Sequence, residues 1–547
     1  MENTQIVARH GVLVTQRKTV DQIWDVIRRY VMPMRSDFFK ELNSEHSVEW
    51  RQNRIVFDST AGDGLETLSS SLHGSLTSPA IQWFELGFRG HELQDDIEAK
   101  AWLEACAKDV YGALQDSNFN LEMSEGYIDL CGYGNSVMIE EEDEEDEGAI
   151  VFQSSPLQDT WFEEDSKNQV LNFYRRFNWT AAQIIDKFGA DKVPEKIVER
   201  AKSSAQSETK YEVIMCIFRR NDKLENKNTG GVLAALERPY GKKYVLKEGS
   251  DTLGEEGGYY EMPAYVSRWR KAAGSQWGFG PSHLALPDVL TANQLVEMTL
   301  RSTEKVVDPA ILVTERGLIS DVDLGPSGLT VVRDIKNSMA PFESRARFDV
   351  SALSLNDLRA VIRRIYYVDQ LEMKDSPAMT ATEVQVRYEL MQRLLGPTLG
   401  RLENDLLSPM IQRTFNIRFR AGKFPDMPES VKAAGAAAME ITYTGPLSRA
   451  QKIDQAASIE RWAGATAQLA EVRPDVLDIP DWDAMDRELG TLLGVPTKLM
   501  KSPAKVTADR KARAEAQAQE RELALKEAEG NANKATGEGQ QAMQQES

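Results

Sequence analysis

At 547 residues the chain is too long for one compact core, and its length points to about three or four structural units. Its 41% apolar and 8% aromatic content is that of a folded protein with large cores. A formal net charge of -20 excludes a surface that holds duplex nucleic acid nonspecifically through phosphate neutralisation.

In chain order, Ile23, Trp24, Ile27, Tyr30 and Val31 mark one face of an early helix that starts after Thr19 to Asp21. In "RIVFDSTAGDGLETLSSSLHGSLTSPAIQWFEL", Leu65, Leu68, Leu72 and Leu76 form a second apolar stripe. Asp58, Ser59 and Thr60 offer caps, and Ser78-Pro79 closes that helix. Ser69, Ser70, Ser71, Gly74 and Ser75 stand between the leucines, small enough to let another backbone approach. "CGYGNSVMIEEEDEEDEGAIVFQSSP" reads as two strands joined by an acidic tip, the eight consecutive acids Glu140 to Glu147 forming a solvated hairpin end. Within it "GYGNS" is a turn, because it lacks G-x-G-x-x-G. "YEVIMCIFRR" is a further strand, and 221 to 258 reads as hairpins and exposed loops.

Gly278, Gly280, Pro281 and Pro287 predict an irregular entry to a helix capped by Asp288 and ended by Asp308-Pro309. A β-like, loop-rich insertion follows over about 310 to 350. Leu358, Val361, Ile362, Ile365 and Tyr366 then carry a second long helix. After the breaker "KDSPAM", a helix over 382 to 395 is interrupted at Gly396-Pro397, and Leu399, Leu402, Leu406 and Leu407 resume its stripe. Helices around 449 to 470 and 482 to 494 come next. From about 501 the chain has helix propensity with little to bury, and its last residues read as disordered.

Enzymatic chemistry is poorly marked. There is no G-x-x-x-x-G-K-[ST], G-x-S-x-G or H-E-x-x-H. Cys106, Cys131 and Cys216 are distant and odd in number, the five histidines are scattered, and no metal site or cofactor is expected. Ser71 and His73 evoke a hydrolase, yet they lie in a regular helical pattern rather than on a strained turn. The cysteines read as reduced core residues of a protein made inside a cell. The start "MENTQIVARHGVL" lacks a signal-peptide core, and no apolar run approaches the ~18 residues of a membrane span, so a soluble chain with no membrane partner is expected.

Four stretches resemble one family, the head-to-tail connecting (portal) proteins of T7-like short-tailed phages. They are "FDSTAGDGLETLSSSLHGSLTSPAIQWFEL", "GFGPSHLALPDVLTANQLVEMTL", "MTATEVQVRYELMQRLLGPTLGRLENDLLSPMIQR" and "DWDAMDRELGTLLGVPTKLMKSP". They run in order from Phe57 to Pro503, within a resemblance that covers about 20 to 510.

The resemblance implies a non-enzymatic α+β, mostly helical portal fold with wing, stem, clip and crown, assembling as a ring of about twelve copies. Residues 1–285 become the wing with its acidic tip at 140–147, 286–309 a stem helix, 310–350 the clip and 351–374 a second stem helix. Residues 375–382, with Asp375, Ser376, Pro377 and Met379, become the channel loop. Residues 383–500 complete the wing and build the crown, and 501–547 form a polar tail. The implied place is the portal vertex of the capsid in the virion, after assembly in the host cytoplasm. Implied partners are double-stranded DNA in the channel, terminase, scaffolding and major capsid proteins, a tail adaptor and internal core proteins. Ser69, Ser70, Ser71, His73 and Gly74 are the candidates for subunit packing. Arg359, Arg363 and Arg364 are candidates for DNA or intersubunit contacts. Another oligomeric binding scaffold is the alternative, with a hydrolase behind it.

Overall fold

The computed structural model describes residues 1–35, 56–88, 96–143, 146–202, 209–223, 233–271, 274–307, 311–313, 339–341, 348–371, 395–434, 439–443, 446–470, 473–495, 499–501, 505–522 and 524–526. In chain order its main elements are α1 (Asn3–Val31), α2 (Thr60–Leu76), β1 (Phe84–Phe88), α3 (Ile97–Asp116), α4 (Phe119–Tyr133), β2 (Asn135–Glu142), β3 (Ile150–Ser154), β4 (Thr160–Glu164) and β5 (Val170–Thr180). There follow α5 (Ala181–Phe188), α6 (Glu195–Lys202), β6 (Lys210–Arg219), β7 (Tyr240–Leu246), β8 (Thr252–Tyr259), β9 (Ala264–Arg268), α7 (Pro281–Val307), β10 (Ile311–Val313), β11 (Met339–Pro341) and α8 (Phe348–Ile365). The last are α9 (Ser408–Arg420), β12 (Met439–Tyr443), α10 (Pro446–Ala470) and α11 (Trp482–Leu492). The class is α+β, mostly helical. Contacts divide the chain into two compact units, Met1–Trp83 with Lys108–Phe424, and Phe84–Ala107 with Pro425–Ser547.

In the first unit an antiparallel five-stranded sheet runs in the order β4-β5-β6-β7-β8. Alternating side chains give it two apolar faces. Tyr174, Ile214, Cys216, Phe218 and Val245 share a core with Ile6 and Leu13 of α1. Tyr211, Val213, Leu246 and Leu253 face the other way and pack with Ala181 and Ile184 of α5 and Ile197 of α6. A second antiparallel sheet has the order β3-β2-β9.

Several boundaries differ from the sequence reading. Helix α1 starts at Asn3, well before Thr19; its inward face sets His10 and Arg17 among Ile6, Leu13 and Trp24, and these polar residues blank out the apolar period. Ile23 is exposed, whereas Trp24, Ile27 and Val31 are buried. Helix α7 starts at Pro281, not at Asp288. Proline suits a first turn, whose amides have no partner within the helix, and Pro287, further along, is exposed inside the helix. Helix α8 ends at Ile365, short of Tyr366, and Tyr367 adopts φ 60°.

The acidic run is not all tip. Glu140, Glu141 and Glu142 continue β2 opposite Phe152, Val151 and Ile150, and Glu140 is fully buried. The strand pair itself is as read, but "GYGNS" is a turn only at Gly134, in the left-handed region at φ 74°, since Gly132-Tyr133 end α4 and Asn135-Ser136 open β2.

Gly396-Pro397 does not end the helical path among the described residues, which are helical over 395–402. The irregularity comes later, as a π-helical turn at Glu403–Leu407 in which the Ser408 amide bonds the Glu403 carbonyl five residues back. Pro409 has no N–H to give the Asp405 carbonyl, which disfavours the regular ladder there. The expected helix 382 to 395 lies almost wholly outside the described residues.

The second unit contains an antiparallel pair, Phe84 opposite Tyr443 through Phe88 opposite Met439, together with α10 and α11. Residues 505–522 are helical and almost wholly exposed.

Candidate functional site

The small residues of α2 divide by face. Ala61, Gly64, Leu65, Leu68, Ser69 and Leu72 are buried, whereas Ser70 and Gly74 are exposed and Ser71 and His73 half-buried. Gly64 permits a close approach inside the chain, since a Cβ there would stand 3.0 Å from Cδ2 of Tyr366. The Ser69 hydroxyl donates to the Glu66 carbonyl at 3.1 Å, and His73 Nδ1 pairs with Thr77 Oγ1 at 3.0 Å. Burial lowers the His73 pKa. No serine is paired with His73 and no carboxylate orients it among the described residues, so this stretch lacks the geometry of a nucleophile and base.

Arg359 is committed within the chain. Its Nε donates to Asp58 Oδ2 at 2.9 Å, from α8 to the start of α2. Asp58 Oδ1 accepts the Thr60 amide at 3.0 Å, while Asn293 Oδ1 on α7 accepts the amides of Phe57 at 2.6 Å and Asp58 at 3.4 Å. Burial works against the Asp58 carboxylate, but the bonds from Thr60 and Arg359 outweigh it and hold its pKa below the ordinary value. A second stitch joins the same helices: the hydroxyls of Ser282 on α7 and Tyr366 lie 2.7 Å apart, and Ser282 also donates to the Cys131 carbonyl. Arg363 Nε reaches Asp369 Oδ1 at 3.5 Å, and Arg364 is exposed. Asp375, Ser376, Pro377 and Met379 lie outside the described residues.

Sequence reasoning missed a buried ionic seat under α9. Glu140 Oε1 accepts from Thr414 Oγ1 at 2.8 Å, and Oε2 accepts from the Tyr265 hydroxyl. Arg413, also buried, brings Nε to 3.6 Å from Glu140 Oε2 and Nη1 to 3.4 Å from Glu261 Oε2. Asn416 and Arg420 bond the same Glu261, and Arg418 clasps Asp109 with contacts of 2.7 and 2.8 Å. Burial pushes the Glu140 carboxyl up to about 7, against the pull of Arg413. The spacing of Arg413, Asn416 and Arg420 was the available signal, since residues three to four apart share a helix face.

A second buried cation, Arg17, stands 4.3 Å from the Trp161 ring centroid and donates to the carbonyls of Leu157 and Gln158 at 2.7 and 3.0 Å. These groups are fixed donors and acceptors that lock elements together. Among the described residues no cluster of three or more His, Cys, Asp or Glu side chains is arranged to hold a metal ion. The three cysteines are buried and unbridged, and burial raises the thiol pKa of Cys131 and Cys216. No helix among the described residues is long and apolar enough to cross a membrane.

The sequence profile of the family described as "Bacteriophage head to tail connecting protein" matches residues 3–500. The chain belongs to that family. Among its relatives is the "Probable portal protein" of Bordetella phage BPP-1, 28% identical over 94% of this chain and 91% of the relative. Another is the "Portal protein" of Salmonella phage epsilon15, 25% identical over the same shares. Head-to-tail connecting proteins are structural proteins of the virion.

Proposed function

We propose that this chain forms the portal ring at one capsid vertex, with about twelve copies around a channel for double-stranded DNA. The observation that carries the proposal is the family match, which spans nearly the whole chain. In this reading the ring is non-enzymatic. Terminase docks on it for packaging, a tail adaptor and internal core proteins join it later, and scaffolding and major capsid proteins surround it during assembly in the host cytoplasm.

Residues 1–285 form the wing, 286–309 (most of α7) and 351–374 (with most of α8) the stem, and 310–350, which includes the β10–β11 ladder, the clip. Residues 375–382 form the channel loop, 383–500 complete the wing and crown, and 501–547 are the tail. The charge supports a sliding role: acidic chains around a duplex offer few phosphate contacts to break. Exposed Arg364 is the better candidate for DNA or a neighbouring subunit, since Arg359 and Arg363 already have internal partners. Exposed Ser70 and Gly74, with Ser71 and His73 beside them, offer a close-packing face to a neighbour, while Ser69 packs inward.

Electron microscopy of the purified chain, with its mass in solution, tests the proposal. A hollow ring of about 0.74 MDa, twelve chains of 61.4 kDa, is the expected result. A monomer or a small closed oligomer without a duplex-wide hole would overturn it.

A further inference from the structure

Helices α10 and α11 form an open groove of about 450 Å³. Its floor is apolar, from Ile459 and Ala463 on α10 and Trp482, Met485 and Leu489 on α11. The spacings i, i+4 and i, i+3, i+7 place these residues on the facing stripes of two helices, the pattern of a core. Yet α11 has no buried residue at all, so its apolar stripe is only half covered. Along the rim stand the acids Glu460, Asp483 and Asp486.

The complement lies a few residues further along. Met500 packs its Cε against Gly490, and the adjoining Leu499 is left 69% exposed. Behind it the chain is basic, with Lys501, Lys505, Arg510, Lys511 and Arg513 against one acid, Asp509. The rim already takes one of these cations: Arg510 pairs with Asp483 through contacts of 2.5 and 2.6 Å. Glu460 and Asp486 have no ion-pair partner among the described residues.

We propose that this groove is a subunit contact, filled by the Leu499 side chain of a second copy, with that copy's Lys511 and Arg513 meeting Glu460 and Asp486, while the Arg510–Asp483 and Lys501–Asp509 pairs stay within each chain. An apolar knob backed by cations fits an apolar hole rimmed by acids in both shape and charge. Knob and hole are different patches of one subunit, so the contact is heterologous and propagates head to tail, the kind that closes into a ring. The inference rests on the ring reading above and names one of the surfaces that would close it.

The test is a double-mutant cycle on the full chain, read as the assembled fraction by mass photometry at fixed concentration. Leu499→Asp removes the knob and Ala463→Trp fills the hole. Each is expected to lower the assembled fraction at least tenfold while leaving the monomer's far-ultraviolet circular dichroism unchanged. Combined, they should do no more harm than the worse one alone, because both break the same contact. Single variants that assemble like the wild type, or defects that multiply, would overturn the contact while leaving the ring reading intact. A wild-type chain that does not assemble overturns both. Leu499 is exposed, so L499D keeps the test decisive even if A463W fails to fold.

Discussion

Arg359 and Asp58 are 301 residues apart in sequence and 2.9 Å apart in space. Their ion pair fastens α8 to the segment leading into α2, while Asn293 of α7 receives the amides of Phe57 and Asp58 in that segment. One carboxylate thus takes the Thr60 amide at the start of α2 and the Arg359 guanidinium of α8. Replacing Asp58 by Ala should destabilise the chain by about 2 kcal/mol, and by Asn about half as much, since Asn still accepts from the Thr60 amide but no longer pairs with a cation. Urea unfolding of the three proteins measures this. Because the folded pKa of Asp58 lies below the ordinary 3.8, its contribution is fully present above that value and fades as pH falls through the folded pKa. Loss of the wild-type advantage in that acidic window is the second expected outcome.

Glu140 behaves in the opposite sense. Its folded pKa is raised from 4.5 to about 7, so the stability it contributes is complete below 4.5 and lost as pH rises through about 7. The groups that set this balance are Arg413 and Thr414 from α9, Tyr265 from β9, and Glu261. The difference in stability between Glu140→Gln and the wild type should move in favour of the variant as pH rises from 5 to above 8, because only the wild type must charge a buried carboxyl over that range. Guanidinium unfolding at both pH values reads the difference, and identical pH profiles would refute the assignment.

Gly64 tests the close approach between α2 and the end of α8. An added Cβ meets Tyr366 at 3.0 to 3.1 Å, and the bond from Tyr366 to Ser282 keeps the ring from swinging aside. Gly64→Ala is expected to cost about 1–3 kcal/mol, although alanine is the better helix former. Thermal melts decide it; a rise in Tm would show that the ring moves freely.

Gly74 stands on the same helix with nothing within 4 Å of an added Cβ. Gly74→Leu should leave the monomer as stable or raise it by roughly 0.5–1 kcal/mol through helix propensity. If this face packs against a neighbouring subunit, the same variant lowers ring yield. Full ring yield from a stable variant would remove this face from the interface.

Much of the framework was legible in the sequence because it is built from regular apolar periods. The leucines of α2 at 65, 68 and 72 are buried as their spacing predicts, and "YEVIMCIFRR" is the β6 strand. The α+β class and the family followed from such stretches. Errors arose where a polar residue is buried. His10 and Arg17 hid the first half of α1, and Glu140 looked like part of a solvated run although it sits in a strand opposite Phe152. A burial pattern written in charges is invisible to a hydropathy reading, because a buried ion becomes tolerable only through partners far away in sequence, as Glu140 does through Arg413 and Thr414. The internal partner of Arg359 was hidden in the same way, since position along α8 could not reveal its pair with Asp58.

The π-helical turn at Glu403–Leu407 is, in effect, a phase slip wound into an otherwise continuous rod. Deleting one residue within it would re-time the rod, turning residues 395–402 by about 100° and drawing them in by about 1.5 Å relative to α9. Leu395, Thr398 and Leu402, all buried as the chain stands, would then leave their sockets together while the ionic seat of α9 stayed locked. A one-residue deletion there is therefore a rotation rather than a shortening, felt wherever the chain before Leu395 leads.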